Sequence, residues 1–204
     1  KISLVKTETT LFADKLSKAR SKAAPVFEGQ VSSLLKNLGM PNAAFTVQIE
    51  KAADYTPHGI DTLSFLFSAN KQVPPADITK VASGGELSRL MLTIKSLVAS
   101  SLALPSIIFD EIDAGVSGEI ADKMGNIMNG MAADMQVVSI THLPQVASKG
   151  SHHYLVYKTD TAKTTSTFIK LLNSGERIVE IAKMLSGEKI TDTALEHAKL
   201  LLKN

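Results

Sequence analysis

The sequence predicts an α/β fold, with a parallel-sheet core, flanking helices, additional antiparallel strands and a long amphipathic helix in front. Three observations predict it. Two apolar runs, Ile107-Ile108-Phe109 and Val137-Val138-Ser139-Ile140, flank one helical stretch, and continuous apolar strands joined through a helix mark a parallel layer. Two earlier stretches, 44–50 and 62–68, alternate apolar and polar residues with period 2, as half-exposed antiparallel strands do. A heptad opens the chain.

In that heptad Ile2, Thr9, Leu16 and Ala23 share one position and Val5, Phe12, Ala19 and Val26 the other; seven of the eight are apolar. Such a seam belongs either to the end of a coiled coil or to an amphipathic helix lying on its own domain. Pro25 interrupts the pattern, and Phe27, Val31, Leu34, Leu35 and Leu38 continue at helical spacing on a new face until Gly39 and Pro41. The expected division is therefore 1–26, the heptad, and 27–204, the remainder. Pro57, His58 and Gly59 turn between the alternating strands, and Pro74-Pro75 breaks the chain after them. Helices are expected over about 86–103, 117–133, 175–186 and 191–203, and a hairpin over 153–158 and 165–172.

Composition narrows the function. Twenty-two Lys and Arg against twenty Asp and Glu give a formal charge of +2, so any nucleic-acid contact needs a local patch or another part of a longer protein. The basic residues Lys15, Lys18, Arg20 and Lys22 read as a solvated helix face. Without cysteine there is no disulfide, thiolate zinc site or Cys nucleophile. No apolar run approaches the roughly 20 residues of a membrane span, and no signal-peptide pattern opens the chain. A start at Lys1 suggests a segment of something longer.

Three motifs carry chemistry. In Ser83-Gly84-Gly85-Glu86-Leu87-Ser88-Arg89 two glycines permit close backbone approach, and Ser83 with Glu86 has capping-box spacing. The bare N–H groups of a helix start there suit a phosphate, although a plain helix cap has the same pattern. Ile107-Ile108-Phe109-Asp110-Glu111 places two carboxylates at a strand's C-terminal end, where open α/β sheets bind ligands. One acid can hold a hydrated Mg²⁺ and the next can orient and deprotonate water. The turn Asp113-Ala114-Gly115-Val116-Ser117-Gly118 follows, with Ser117 placed to cap the next helix. Ser139-Ile140-Thr141-His142-Leu143-Pro144 ends the second strand in polar residues. A lone His is more often structural, but His142 follows the strand expected beside that of the acid pair, so both strand ends open on one crevice.

These motifs, in this order, resemble the C-terminal lobe of an ABC-type P-loop ATPase head. Val81–Arg89, Ile108–Gly118, Thr141–Ala147 and the tail Glu176–Gly187 resemble in particular the SMC-like proteins and, among these, the RecN family of bacterial DNA repair proteins. Ala82, where most of the wider class has Leu, fits that family. The resemblance implies ATP and Mg²⁺ as cofactors and double-strand-break repair as the setting. Asp110 would be the Walker B acid holding Mg²⁺ through water, Glu111 the catalytic base and His142 the switch histidine. Ser83, Gly84, Gly85 and Glu86 would form the signature that meets ATP held by a second head. Asp113, Gly115, Ser117 and Gly118 would form the D-loop at the head–head interface.

The sequence holds no G-x-x-x-x-G-K-[ST] loop; Gly187-Glu188-Lys189 is the only approach to one. In the resembling family that loop lies in an N-terminal segment beyond a coiled coil, of which 1–26 would be the returning end. This chain alone is therefore expected to be inactive. The implied partners are that segment, a second head as homodimer and DNA, with no membrane; the implied location is the bacterial cytoplasm, at the nucleoid. Two alternatives share some of these features: a fragment of an ABC transporter nucleotide-binding subunit, and a dimerisation module without turnover. The heptad argues against the first, and the intact Asp110-Glu111 pair and His142 against the second.

Overall fold

A computed structural model describes residues 2–80, 84–160, 164–187 and 189–203. They form two compact units, Lys1–Leu97 and Val98–Asn204.

Unit 1 begins with α1 (Ile2–Asn37), followed by the strands β1 (Ala44–Thr56), β2 (Gly59–Ser68) and β3 (Ala76–Asp77), a 3₁₀ turn at Ile78–Lys80, and most of α2 (Gly84–Leu102). The three strands form one antiparallel sheet in the order β1-β2-β3. Val31 and Leu35 of α1 bury against Met40, Phe45, Phe67 and Leu90. Phe27 meets the Phe45 ring edge-on at 5.8 Å, and Phe65 stacks on it at 5.9 Å. The second apolar face of α1 is thus the inward one. Pro25 does not end α1 but stands inside it, so the boundary expected at residue 26 marks no break in the helix.

Four residues of α1, tied to the sheet and its turn by five hydrogen bonds, help the helix to tolerate the proline, which removes one intrahelical hydrogen bond. The hydroxyls of Thr10 and Tyr55 are 2.9 Å apart. Ser17 donates to Asp61, Arg20 Nη1 donates to the same carboxylate at 2.8 Å, and Arg20 Nη2 reaches the His58 carbonyl at 2.8 Å. Beyond the proline, Glu28 Oε1 accepts the Val47 N–H at 2.6 Å. Arg20 is therefore not part of a solvated basic face. Gly59, at φ 100°, makes this closeness possible, since a Cβ there would sit 3.2 Å from Leu16.

The Asp61 side chain is only 2% exposed. The Ser17 hydroxyl first, then Arg20, hold its carboxyl below the ordinary range. A depressed folded value contributes stability above the unfolded value of about 3.9, and that contribution disappears as the pH falls through the folded value. Asp61→Asn should therefore lower the melting temperature at neutral pH, with the gap from the parent closing in acid below about pH 4. Thermal unfolding of both proteins across that range measures this; an unchanged gap would exclude the charge as the cause.

Unit 2 contains β4 (Ser106–Asp110), α3 (Gly118–Met131), β5 (Gln136–Ile140), α4 (Pro144–Ala147), β6 (Tyr154–Asp160), β7 (Thr165–Leu171), α5 (Ser174–Ser186) and α6 (Asp192–Leu201). β4 and β5 pair in parallel, with Asp110 opposite Ile140, and β6 and β7 form an antiparallel hairpin. Ala121, Met124, Met128 and Met131 recur on one face of α3 and are buried there. Asn173 and Glu176 form a reciprocal capping box at the start of α5. Ile181, Ala182, Ala194 and Ala198 make the α5–α6 core.

Two local expectations fail. The apolar strands are not buried on both faces: Phe109 is covered, whereas Ile108 and Ile140 are 64% and 53% exposed, and Val138 is exposed beside them. Alternate side chains point to opposite faces, and this row faces away from the covered one. Ser117 occupies the N-cap position of α3, but its side chain makes no capping hydrogen bond.

Candidate functional site

β4 and β5 end level with each other. Asp110 is the last residue of β4, and the Glu111 N–H extends the ladder by donating to the Ile140 carbonyl at 3.2 Å. Neighbouring strands lie about 4.8 Å apart, so the acid pair and Thr141-His142 share one sheet edge. Asp110 and Glu111 are both exposed there. Glu111 adopts φ 49°, a left-handed conformation uncommon outside glycine, which costs of order 1–3 kcal/mol. That strain turns the chain sharply at the second carboxylate. The Ala114 N–H returns to the Glu111 carbonyl at 3.1 Å, closing the turn.

Beyond the turn the chain folds back on itself. Asp113 is fully buried, and its Oδ2 accepts the Thr141 hydroxyl. Its Oδ1 is buried without a hydrogen-bond partner among the described residues, an arrangement that costs desolvation energy. The Thr141 oxygen also accepts the Leu143 N–H at 2.9 Å. One hydroxyl thus ties the residues on either side of His142 and leaves the exposed imidazole at the apex of a short turn. Gly115 at φ 73° in the loop before α3, and Gly118 at φ 58° as the first residue of α3, both take the left-handed conformation.

The remaining predicted residues belong to unit 1. Ser83 lies outside the described residues. Gly84, Gly85 and Glu86 form the first turn of α2, which begins two residues earlier than expected. Gly84 is exposed, and among the described residues outside its own helix and chain neighbours nothing lies within 4 Å of where its Cβ would be, so they leave a ligand's approach to this backbone open. Arg89 Nε donates to the Gly85 carbonyl and its Nη1 to the Leu38 carbonyl, both at 3.1 Å, fixing this turn to the end of α1.

The donor set suits a hydrated cation. Among the described residues no three His, Cys, Asp or Glu side chains gather into a metal cluster. A cation at Asp110 would take its other ligands from water and phosphate oxygens, as Mg²⁺ does. The link between Asp113 and Thr141 was not legible in the sequence, because 28 residues separate the two.

No family model matches the chain. It is 42% identical over 196 residues to the DNA repair protein RecN of Rickettsia bellii, covering 96% of this chain and 36% of that protein. It is 40% identical over 191 residues to RecN of Vibrio cholerae, covering 93% and 34%. The chain thus spans about a third of the length of these relatives. A Pyrococcus furiosus Smc head domain with an extended coiled coil, bound to the C-terminal domain of ScpA, superposes with a TM-score of 0.61 at 16% identity, over 88% of this chain and 43% of that one. A chain described under ATP-driven dimerization and DNA-stimulated activation of SMC ATPases gives 0.53 at 14% identity, over 89% and 99%. The transporter alternative finds no support in these likenesses. No helix among the described residues is long and apolar enough to cross a membrane. The order of the motifs, the fold and the relatives converge: the chain is RecN-like over nearly its whole length, corresponding to about a third of those proteins, and it has the fold of an SMC head.

Proposed function

We propose that this segment supplies the catalytic edge of an ATP hydrolase that works in bacterial double-strand-break repair, in the cytoplasm at the nucleoid. The alignment of Asp110-Glu111 with Thr141-His142 at one sheet edge carries the reading. Mg²⁺ bound with ATP would neutralise phosphate charge there. Asp110 would hold the hydrated cation. Glu111, exposed and turned by its left-handed backbone, orients the attacking water and takes its proton. His142, at the apex held by Thr141, hydrogen-bonds the terminal phosphate. Ser83, Gly84, Gly85 and Glu86 serve as the signature toward nucleotide on a second head. Asp113, Gly115, Ser117 and Gly118 serve as the D-loop between the heads.

The nucleotide's other half-site comes from an N-terminal segment with a Walker A loop. The bare row of Ile108, Val138 and Ile140 supports this, since an apolar sheet face left in water is costly until another layer covers it. The exposed Ile2, Val5 and Phe12 of α1 support residues 1–26 as the end of a coiled coil. Calorimetry of this chain alone with Mg-ATP should accordingly show no tight site, and addition of the Walker A segment should restore binding and turnover. A submicromolar affinity of the chain alone would overturn the half-site reading.

A further inference from the structure

One residue that helps to fix the chain after His142 lies on another helix, α5. α4 starts two residues beyond His142 and is a single turn, whose Val146 and Ala147 N–H groups return to the Leu143 carbonyl at 3.1 and 3.0 Å. So short a helix has little stability of its own and must be held from outside. α3 holds one side: Lys149 pairs with Asp122 at 3.1 Å, and Gly125 leaves just enough room, since a Cβ there would sit 3.2 Å from the Gln145 carbonyl. Arg177 of α5 holds the other. Its Nη2 donates to the carbonyls of Ser148 at 2.9 Å, of Gly150, and of Ala147 at 3.5 Å, while Nη1 reaches that of Ser151 at 3.4 Å.

This arrangement is unusual for a cation. Arg177 is half-buried, and none of the described carboxylates pairs with it. Its Nε is buried without a hydrogen-bond partner among the described residues. Burying a charge against carbonyl dipoles alone is costly, and a packed apolar residue would avoid that cost. What the guanidinium offers instead is a rigid planar fork able to collect several carbonyls at once. Those carbonyls belong to Ala147, the last residue of α4, and to Ser148, Gly150 and Ser151 beyond it. The distance along the chain from the first of them back to His142 is five residues, of which α4 and the Thr141 turn fix the path.

We propose that Arg177 is a positioning residue for His142: by gathering the carbonyls of 147, 148, 150 and 151 it fixes α4, and through α4 the place where the imidazole meets the terminal phosphate. The proposal rests on the reading of His142 given above. Displacement of a reacting group by about 1 Å can cost on the order of 10²-fold in rate. The Arg177 guanidinium is directed at backbone carbonyls, so nucleotide binding should not depend on it.

The test uses the full-length protein that contains this segment and a Walker A loop, with the variants Arg177→Gln, Arg177→Lys, His142→Ala and the double variant Arg177→Gln/His142→Ala. In nucleotide-free protein, hydrogen exchange of the amides of 143–151 should quicken in Arg177→Gln. In steady-state ATP hydrolysis kcat should fall by about tenfold or more, up to the 10²-fold of a misplaced group, with KM nearly unchanged. Arg177→Lys, with its charge kept but its fork lost, should fall between, and serves if the Gln variant does not fold. The double variant should be no slower than His142→Ala, because there is then no imidazole to place. If His142→Ala hydrolyses ATP normally, the reading of His142 fails. If His142→Ala is slow but Arg177→Gln and Arg177→Lys are both normal, only the positioning role fails. Unchanged exchange over 143–151, a raised KM with normal kcat, or losses that multiply in the double variant would each overturn it as well.

Discussion

Glu111→Gln, placed in a protein that joins this segment to a Walker A loop, is expected to keep ATP bound while hydrolysis slows by about 10²–10⁴-fold, the usual worth of a general base. That corresponds to about 2.7–5.4 kcal/mol of transition-state stabilisation. Gln has nearly the shape of Glu and can still hydrogen-bond water, but it cannot take the proton. The side chain is exposed and lies past the end of β4, so the substitution disturbs no packing. Loss of rate with unchanged melting temperature would therefore report chemistry and not folding. ATP should accumulate on a closed pair of heads, visible as a nucleotide-dependent dimer by light scattering. Hydrolysis at the parent rate would place the base elsewhere.

The second large effect is expected at Ser83. Ser83→Arg should abolish ATP-driven association and hydrolysis together, yet leave ATP binding to a single complete head nearly intact. The first turn of α2 is open at Gly84, and a phosphate on a partner head would approach its bare N–H groups there. A long cation beside those groups would block that approach. Mixing Ser83→Arg with Glu111→Gln sharpens the test. In a mixed dimer both lesions can fall on one composite site, leaving the other whole, so hydrolysis should partly recover. No recovery at any ratio, with ATP binding lost in the Ser83 variant alone, would show that the motif serves its own head.

Much of the fold was legible because its signals are local. The inward face of α1 from Phe27 to Leu35, the alternation of β1 and β2, and the helix that opens on the two glycines each show within a few residues. What was not legible depends on distant partners. Pro25 reads as an interruption, yet Thr10, Ser17, Arg20 and Glu28 are tied to the sheet on both sides of it, and tertiary bonds override local propensity. Arg20 reads as one of several solvated cations until Asp61 is found beneath it. Ile108 reads as core because an apolar strand has the same sequence whether one face is covered or both. At the candidate site the acid pair and His142 were visible as residue types at strand ends. The coupling of Asp113 to Thr141, and of Arg177 to the carbonyls after α4, was not, because a carbonyl has no sequence signature.

The ties along α1 also have a mechanical consequence. A 36-residue helix is about 54 Å long, and a proline within it is where a rod under load would hinge. Here β1 and β2 lie alongside as a splint, fastened at Thr10, Ser17 and Arg20 on one side of Pro25 and at Glu28 on the other. A pull or twist applied to the amino-terminal half of α1 is shared with the sheet through those fastenings before it can bend the rod at its weak joint. The sheet in turn packs on Leu90, in the helix that begins at Gly84 and Gly85. Torque on the rod is thereby delivered to the foot of the helix whose first turn bears the glycine pair.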